Sequence, residues 1–542
     1  MKGKILIPFL LMFILTQCGK NNEVPIYGTF EITVRGKLTN VNPFTEFVDA
    51  KFSDGTRQFN VEGFYDGNNE WKVRFMPDKA GIWFYSWNFH QNKGEGQFLC
   101  TENKDEFNHG HVKTDPENPR YLITDDGLPF FWFGGKWINA PNYGPPFKDD
   151  IKNDKHDHKY NNTGYYTDDI MIGYLDSCYA YKHNGLLLKL ALYPLENDKI
   201  SWDLEWIKRG EWLVREMGKR GIYCQINYFD TWSRKKDLWF DFNDRTPGKT
   251  PPPAPGAEQV FNVWDDSDDL AKENYIRSII ARFSGYYNVY WELGNEMEHR
   301  PHDGKKFAEQ ANLKYLPWIK KYDPYNLPVC LSENIWTKTN VDVGLLHQTN
   351  ELPPVNTDRN RPVIMNELVR GGNKDVLWKD SSMRDSTERT AYRRTFWNNF
   401  VYGGCGSSQA TWLEINEPLN REALQVMGDQ QRLRDFIEKI PVNINEMFTD
   451  TSFVRSGPGK YRTRSKQNEC YITYFTRNLM DTIDTDQIYV NLPEGNYTYR
   501  WYDPSAGLYS EEINIISSGT PVILNKTFKT AIVLSMISHN LF

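Results

Sequence analysis

Apolar and polar positions along the chain fall into three stretches with different periods. From about 26 to 115, YGTFEITVRG, TEFVDAKF, RQFNVEGFYDG, EWKVRFMPDKAG and IWFYSWNF alternate with period two. They are rich in β-branched and aromatic residues and punctuated by Gly and Asn. Alternation without a helical period predicts an N-terminal β-sandwich. The segment FNHGHVKTDPENPRYLITDDGLPFF then leads into a different pattern.

From about 120 to 435 strand-like and helix-like runs take turns. FFWFGG reads as a first strand, and Ile170, Tyr174, Cys178 and Tyr181 follow at helical spacing. NGLLLKLALYP is a near-continuous apolar run, as a parallel strand covered on both faces requires. DLEWIKRGEWLVREMGKRG is a helix stopped by Gly221, and IYCQINYF a third strand. The helix DDLAKENYIRSIIARFSG precedes a fourth, NVYWELGNE, and LPVCLSE, VDVGLLHQT, RPVIMNE and SSQATWLEI complete the set. Eight strands with intervening helices predict a (β/α)8 TIM barrel. Between residues 333 and 341, and again between His347 and Arg361, there is little room for covering helices, so short turns or loops are expected there. DRTPGKTPPPAPGAEQ is too Pro-rich for a helix and reads as a long surface loop. From about 440 to 542, ECYITYFT, DQIYVNLPEGNYTYRWYDPSAGLY, TPVILN and TAIVLSM predict a C-terminal β-sandwich. The fold class is therefore multidomain, a central barrel flanked by two sandwiches. That agrees with 542 residues, well past the roughly 250–300 that one core supports.

The first eighteen residues do not belong to this pattern. MKGK is a basic start, ILIPFLLMFIL an apolar run too short to span a bilayer, and LTQC ends at Cys18. Leucine three places before cysteine resembles the bacterial lipobox, which implies a lipidated Cys18 and a membrane-anchored, exported protein of a Gram-negative-type envelope. A plain secretory signal is the alternative. The other six cysteines are scattered without zinc spacing and are expected as buried thiols. A net charge of -7 with both signs interspersed argues against a nucleic-acid partner. Aromatics at 15% suit stacking on sugar rings as well as they suit large cores.

Chemistry in such a barrel is built at the C-terminal ends of its strands. Two ends carry an Asn-Glu pair: Asn295-Glu296 after the fourth strand and Asn366-Glu367 at the seventh, expected opposite one another in the ring. Paired carboxylates across a cleft are what glycoside hydrolysis requires, one protonated and one ionised. WELGNE and PVIMNE resemble the strand-four and strand-seven signatures of clan A glycoside hydrolases. The whole layout, including GLPFFWFGG and RWYDPSAGLY, is similar to the apiosidase-like bacterial glycoside hydrolases, which end in a β-sandwich of the kind labelled collagen-binding. The resemblance implies a retaining enzyme with Glu296 as acid/base and Glu367 as nucleophile, no cofactor and no metal, acting on a carbohydrate. One departure separates the chain from that group, where an Asp is described as the acid.

Other strand ends offer substrate contacts: Lys136 and Trp137, Lys189, Asn227 with Asp230 and Trp232, His347, and Trp412 as a sugar platform. Each reads equally as a core aromatic, a satisfied histidine or an outward lysine. Glu292 and Glu414 read as salt-bridge partners within the barrel. Two rivals stand beside the hydrolase. HGH and HDH (His109, His111, His156, His158) suggest a metal hydrolase but fall outside strand ends. A degenerate barrel would make a non-catalytic, surface glycan-binding lipoprotein.

Overall fold

The computed structural model describes residues 23–37, 41–134, 168–189, 194–195, 198–202, 204–228, 269–295, 304–332, 334–348, 361–368, 392–408, 421–476, 487–526 and 532–541. Eight parallel strands close into a barrel in chain order. Numbered within the barrel, they are β1 (Trp132–Gly134), β2 (Gly185–Lys189), β3 (Tyr223–Asn227), β4 (Val289–Glu292), β5 (Val329–Leu331), β6 (Val343–Gln348), β7 (Val363–Leu368) and β8 (Gly406–Ser408). Among the described residues the helices are α1 (Asp168–Ala180), α2 (Leu204–Gly218), α3 (Asp269–Phe283), α4 (Gly304–Tyr322), α5 (392–401) and α6 (Arg421–Ile437). Gly221, the expected stop after α2, has φ +66, a left-handed conformation that glycine adopts without steric cost. The crossover from β5 to β6 is a single 3-10 turn, Asn334–Lys338, as the short spacing required. In this ring β4 and β7 stand three places apart, not diametrically opposed as expected, because β5 and β6 are all that separates them.

Period two sorts the barrel strands into two faces. Leu186, Leu188, Cys224, Ile226, Val289 and Trp291 pack outward against the helices. Trp132, Tyr223, Tyr290, Cys330, Val343, Leu345 and Ile364 fill the interior. The linker supplies the floor, since Val112, Leu122 and Phe130 join the same interior cluster from a three-stranded sheet. His111 Nε2 lies 3.1 and 3.0 Å from the carbonyl oxygens of Ser284 and Tyr286, pinning that linker to the turn between α3 and β4.

The N-terminal stretch forms one path of seven strands: Glu23–Pro25, Asn92–Thr101, Gly81–Phe89, Val48–Ser53, Gln58–Gly67, Glu70–Phe75 and Phe30–Arg35. Strands from both ends of the path surround one core that includes Val34, Phe52, Trp71, Phe75 and Trp83. Asn68 and Asn69, at φ 53 and 60, make the tight turn between Gln58–Gly67 and Glu70–Phe75. Buried ion pairs join one side of the path to the barrel helices. There Arg74 binds Glu31 and Glu211 at 2.8 Å each, and Arg282 binds Glu211 at 2.8 Å and Asp66 at 2.9 Å. Gly285 must be glycine at this junction, because a Cβ would lie 2.8 Å from that of Arg74.

After α6 the chain builds a seven-stranded sheet and a three-stranded one. Ile488, Val490 and Leu524 of the smaller sheet meet Phe475, Trp501 and Leu534 of the larger in a shared core. Tyr474 and Tyr502 pack on Trp397 of α5. Buried Arg464 donates to the carbonyls of Phe400 (3.1 Å) and Ile444 (2.7 Å), closing that contact.

Candidate active site

The upper part of the barrel interior is polar. Strand register aligns Gln225 with Tyr290, and the Tyr290 hydroxyl donates to Gln225 Oε1 at 3.0 Å. Across the ring, Trp132 Nε1 donates to Ser408 Oγ at 2.8 Å while its ring stands edge-on to Tyr290, centroids 5.7 Å apart. Glycines make room for this indole, since a Cβ on Gly185 would lie 2.2 Å from it. Burial pushes the Tyr290 hydroxyl far above its ordinary range. It is therefore a neutral donor.

One step nearer the mouth, register sets Lys189 beside Asn227 and Asn227 beside Glu292. Glu292 is completely buried, as is Asn295 just beyond the strand. The ladder continues past Glu292, where Ser332 Oγ donates to Gly294 O at 3.2 Å. On the other side His347 of β6 is the register partner of Glu367 of β7. A register shift between Leu345 and His347 spends an extra residue on β7, the kind of bulge that re-aims a side chain near a site. Asn366, directly before Glu367, is 2% exposed.

Three of these side chains are buried with amide atoms that have no hydrogen-bond partner among the described residues. They are Gln225 (Nε2), Asn227 (Nδ2) and Asn366 (Nδ2 and Oδ1). A buried amide without a partner costs on the order of 1–3 kcal/mol, so such atoms are rare away from functional sites. Amides at this height in a barrel can donate to and accept from hydroxyl groups.

Of the sequence-predicted residues, Asn227, Asn295, Lys189, His347 and Glu367 come to the same end of the barrel. Glu296, Lys136, Trp137, Asp230, Trp232, Trp412, Glu414 and Cys18 lie outside the described residues. Gln225, Tyr290, Trp132 and Ser408 were not singled out in advance, whereas Asn366 was read as the neighbour of Glu367. Period two would have found Gln225, two places before Asn227 on one strand face. Among the histidines proposed for a metal, His109 Nδ1 lies 2.7 Å from Asp126 Oδ2 and His111 faces backbone carbonyls, both at the far end of the barrel. No group of three or more metal-ligating side chains occurs among the described residues.

A family model described as a domain of unknown function (DUF5060) matches residues 23–90. A search of curated proteins gives no match. Among solved structures, a candidate glycoside hydrolase from Bacteroides vulgatus ATCC 8482 superposes with a TM-score of 0.69 at 17% identity, covering 96% of this chain and 100% of that one. A glycoside hydrolase family 5 protein from the same organism gives 0.55 at 14% identity, over 80% of this chain and 94% of its own. A further structure described as a glycoside hydrolase gives 0.55 at 14%, over 81% and 99%. The chain thus shares its multidomain, closed-barrel fold with proteins of that description.

Proposed function

We propose that the chain is an exported, retaining glycoside hydrolase in which Glu296 is the acid/base and Glu367 the nucleophile. The observation that carries this reading is that the buried amides of Asn227 and Asn366, with atoms lacking a partner among the described residues, stand with Asn295 and the strand position of Glu367 at one end of a closed parallel barrel. The fold likeness to glycoside hydrolases supports it. The Glu367 carboxylate attacks the anomeric carbon as the bond to the leaving oxygen breaks, and Glu296 gives that oxygen its proton. Water then attacks the glycosyl-enzyme, Glu296 takes the water's proton, and Glu367 is released. This sequence needs the two carboxyls about 5–5.5 Å apart.

The remaining roles are read from the sequence, which puts these residues at strand ends. Asn295 hydrogen-bonds the sugar 2-hydroxyl. His347 steadies Glu367 from the neighbouring strand. Lys189 supplies positive charge beside the Asn227–Glu292 row. Trp137, Trp232 and Trp412 stack on sugar faces, and Lys136 contacts substrate hydroxyls. In this reading the stretches 26–115 and 440–542 are β-sandwich domains around a catalytic barrel at 120–435, in the manner of the apiosidase-like group. Cys18 carries a lipid anchor.

The test is hydrolysis of an oligosaccharide and aryl-glycoside panel by the wild type, Glu296→Gln and Glu367→Gln. General acid and nucleophile losses of about 10²–10⁴-fold in turnover are expected. Undiminished turnover in either variant overturns the assigned roles, and glycan binding without hydrolysis by the wild type would favour the surface glycan-binding lipoprotein.

A further inference from the structure

An exposed apolar patch sits where the described chain begins. Strand register sets Glu23, Leu99 and Ile82 in one row across three strands. Phe84 lies two residues beyond Ile82 on the same strand and face. Ile82, Phe84 and Leu99 are 52%, 51% and 40% exposed, an uncommon concentration on a sheet face that otherwise shows Lys51, Asn88, Lys93 and Glu95 to solvent. This part of the seven-stranded path is not the part that meets the barrel. Contact with the barrel helices is made by Glu62, Asp66 and Arg74 on other strands of the path.

Only Gly19, Lys20, Asn21 and Asn22 separate Cys18 from Glu23. Five Cα steps span at most about 17 Å even when fully extended. A lipid on Cys18 therefore holds the row Glu23–Leu99–Ile82 within reach of the bilayer surface. We propose that Ile82, Phe84 and Leu99 form a membrane-contacting patch that lies against the lipid surface beside the Cys18 anchor. Three apolar side chains enter the headgroup region as those of an interfacial helix do. The inference rests on lipidation at Cys18 and does not depend on hydrolysis.

The experiment uses the full lipidated chain in phosphatidylethanolamine and phosphatidylglycerol vesicles. The six described native cysteines are buried, so a bimane label on Phe84→Cys, Leu99→Cys or Leu313→Cys reports the chosen place. Leu313, 74% exposed on α4, is the control. Doxyl-labelled lipid should cause loss of emission at 84 and 99 and leave 313 bright. Three results overturn the proposal: emission at 84 and 99 as unquenched as at 313, mass spectrometry showing no lipid on Cys18, or a pyrene excimer at 84 that marks a second copy on the patch.

Discussion

Substitution of Glu211 by alanine removes the carboxylate that two buried cations share, leaving Arg74 with Glu31 and Arg282 with Asp66. Arg74 and Arg282 are 1% and 2% exposed, and each donates to a different oxygen of Glu211 at 2.8 Å. Burial raises the Glu211 carboxyl, but the charges of Arg74 and Arg282 outweigh it and bring it from 4.5 down to about 2. A carboxyl held that far below its ordinary value contributes about 3 kcal/mol to folding. Removing one partner of a buried pair costs on the order of 3–5 kcal/mol by mutational experience, in agreement. The sign fixes the pH window. Because the folded-state value is depressed, the stabilisation is complete above the ordinary 4.5 and is lost as pH falls through about 2. Urea unfolding followed by tryptophan emission at neutral pH should show Glu211→Ala less stable by about 3–5 kcal/mol. Glu211→Gln should lose the wild type's steepening between those two pH values. Adding Arg282→Met to Glu211→Ala should recover part of the loss, since it removes a buried cation left with one carboxylate while Asp66 keeps Lys72. A loss below about 1 kcal/mol, the level of exposed ion pairs, would refute the buried network as the clamp between sheet and barrel.

Other outcomes follow from the barrel interior. Gly185→Ala drives a methyl into the Trp132 ring and should destabilise by about 1–3 kcal/mol in thermal melts. Asn366→Ala removes a buried amide that has no partner among the described residues. It should leave stability unchanged or raised, while kcat/KM falls by about tenfold or more as a contact to a substrate hydroxyl is lost. Arg464→Ala should loosen the C-terminal sheets from α5, seen as earlier proteolysis at their junction. A strong chelator should leave turnover unchanged.

Period and punctuation made most of the architecture readable. YCQIN and VYWE are buried at every position, as strands covered on both faces are, and α2 ends just before Gly221. The strand Asn92–Thr101 escaped notice because Gly94 and Gly96 interrupt its alternation. A Cβ at Gly94 would lie 2.5 Å from Trp87, and one at Gly96 2.4 Å from Tyr85, so cross-strand aromatics occupy that space. The linker sheet was missed because strands of two or three residues carry no measurable period. At the site, the Asn-Glu pairs were legible as polar residues that end apolar strands. The pairing of Trp132 with Ser408, 276 residues apart, was not, because only closure of the barrel brings them together. Glu292 was expected as an internal ion-pair member. The structure buries it completely in register with Asn227.

The most direct measurement is the anomeric configuration of the first product, followed by proton NMR during hydrolysis of a substrate of known linkage. Two carboxylates acting through a covalent sugar on Glu367 predict that the product appears with the configuration of the substrate and mutarotates afterwards. A product that appears inverted would mean that water attacks directly, and Glu367 would not be a nucleophile.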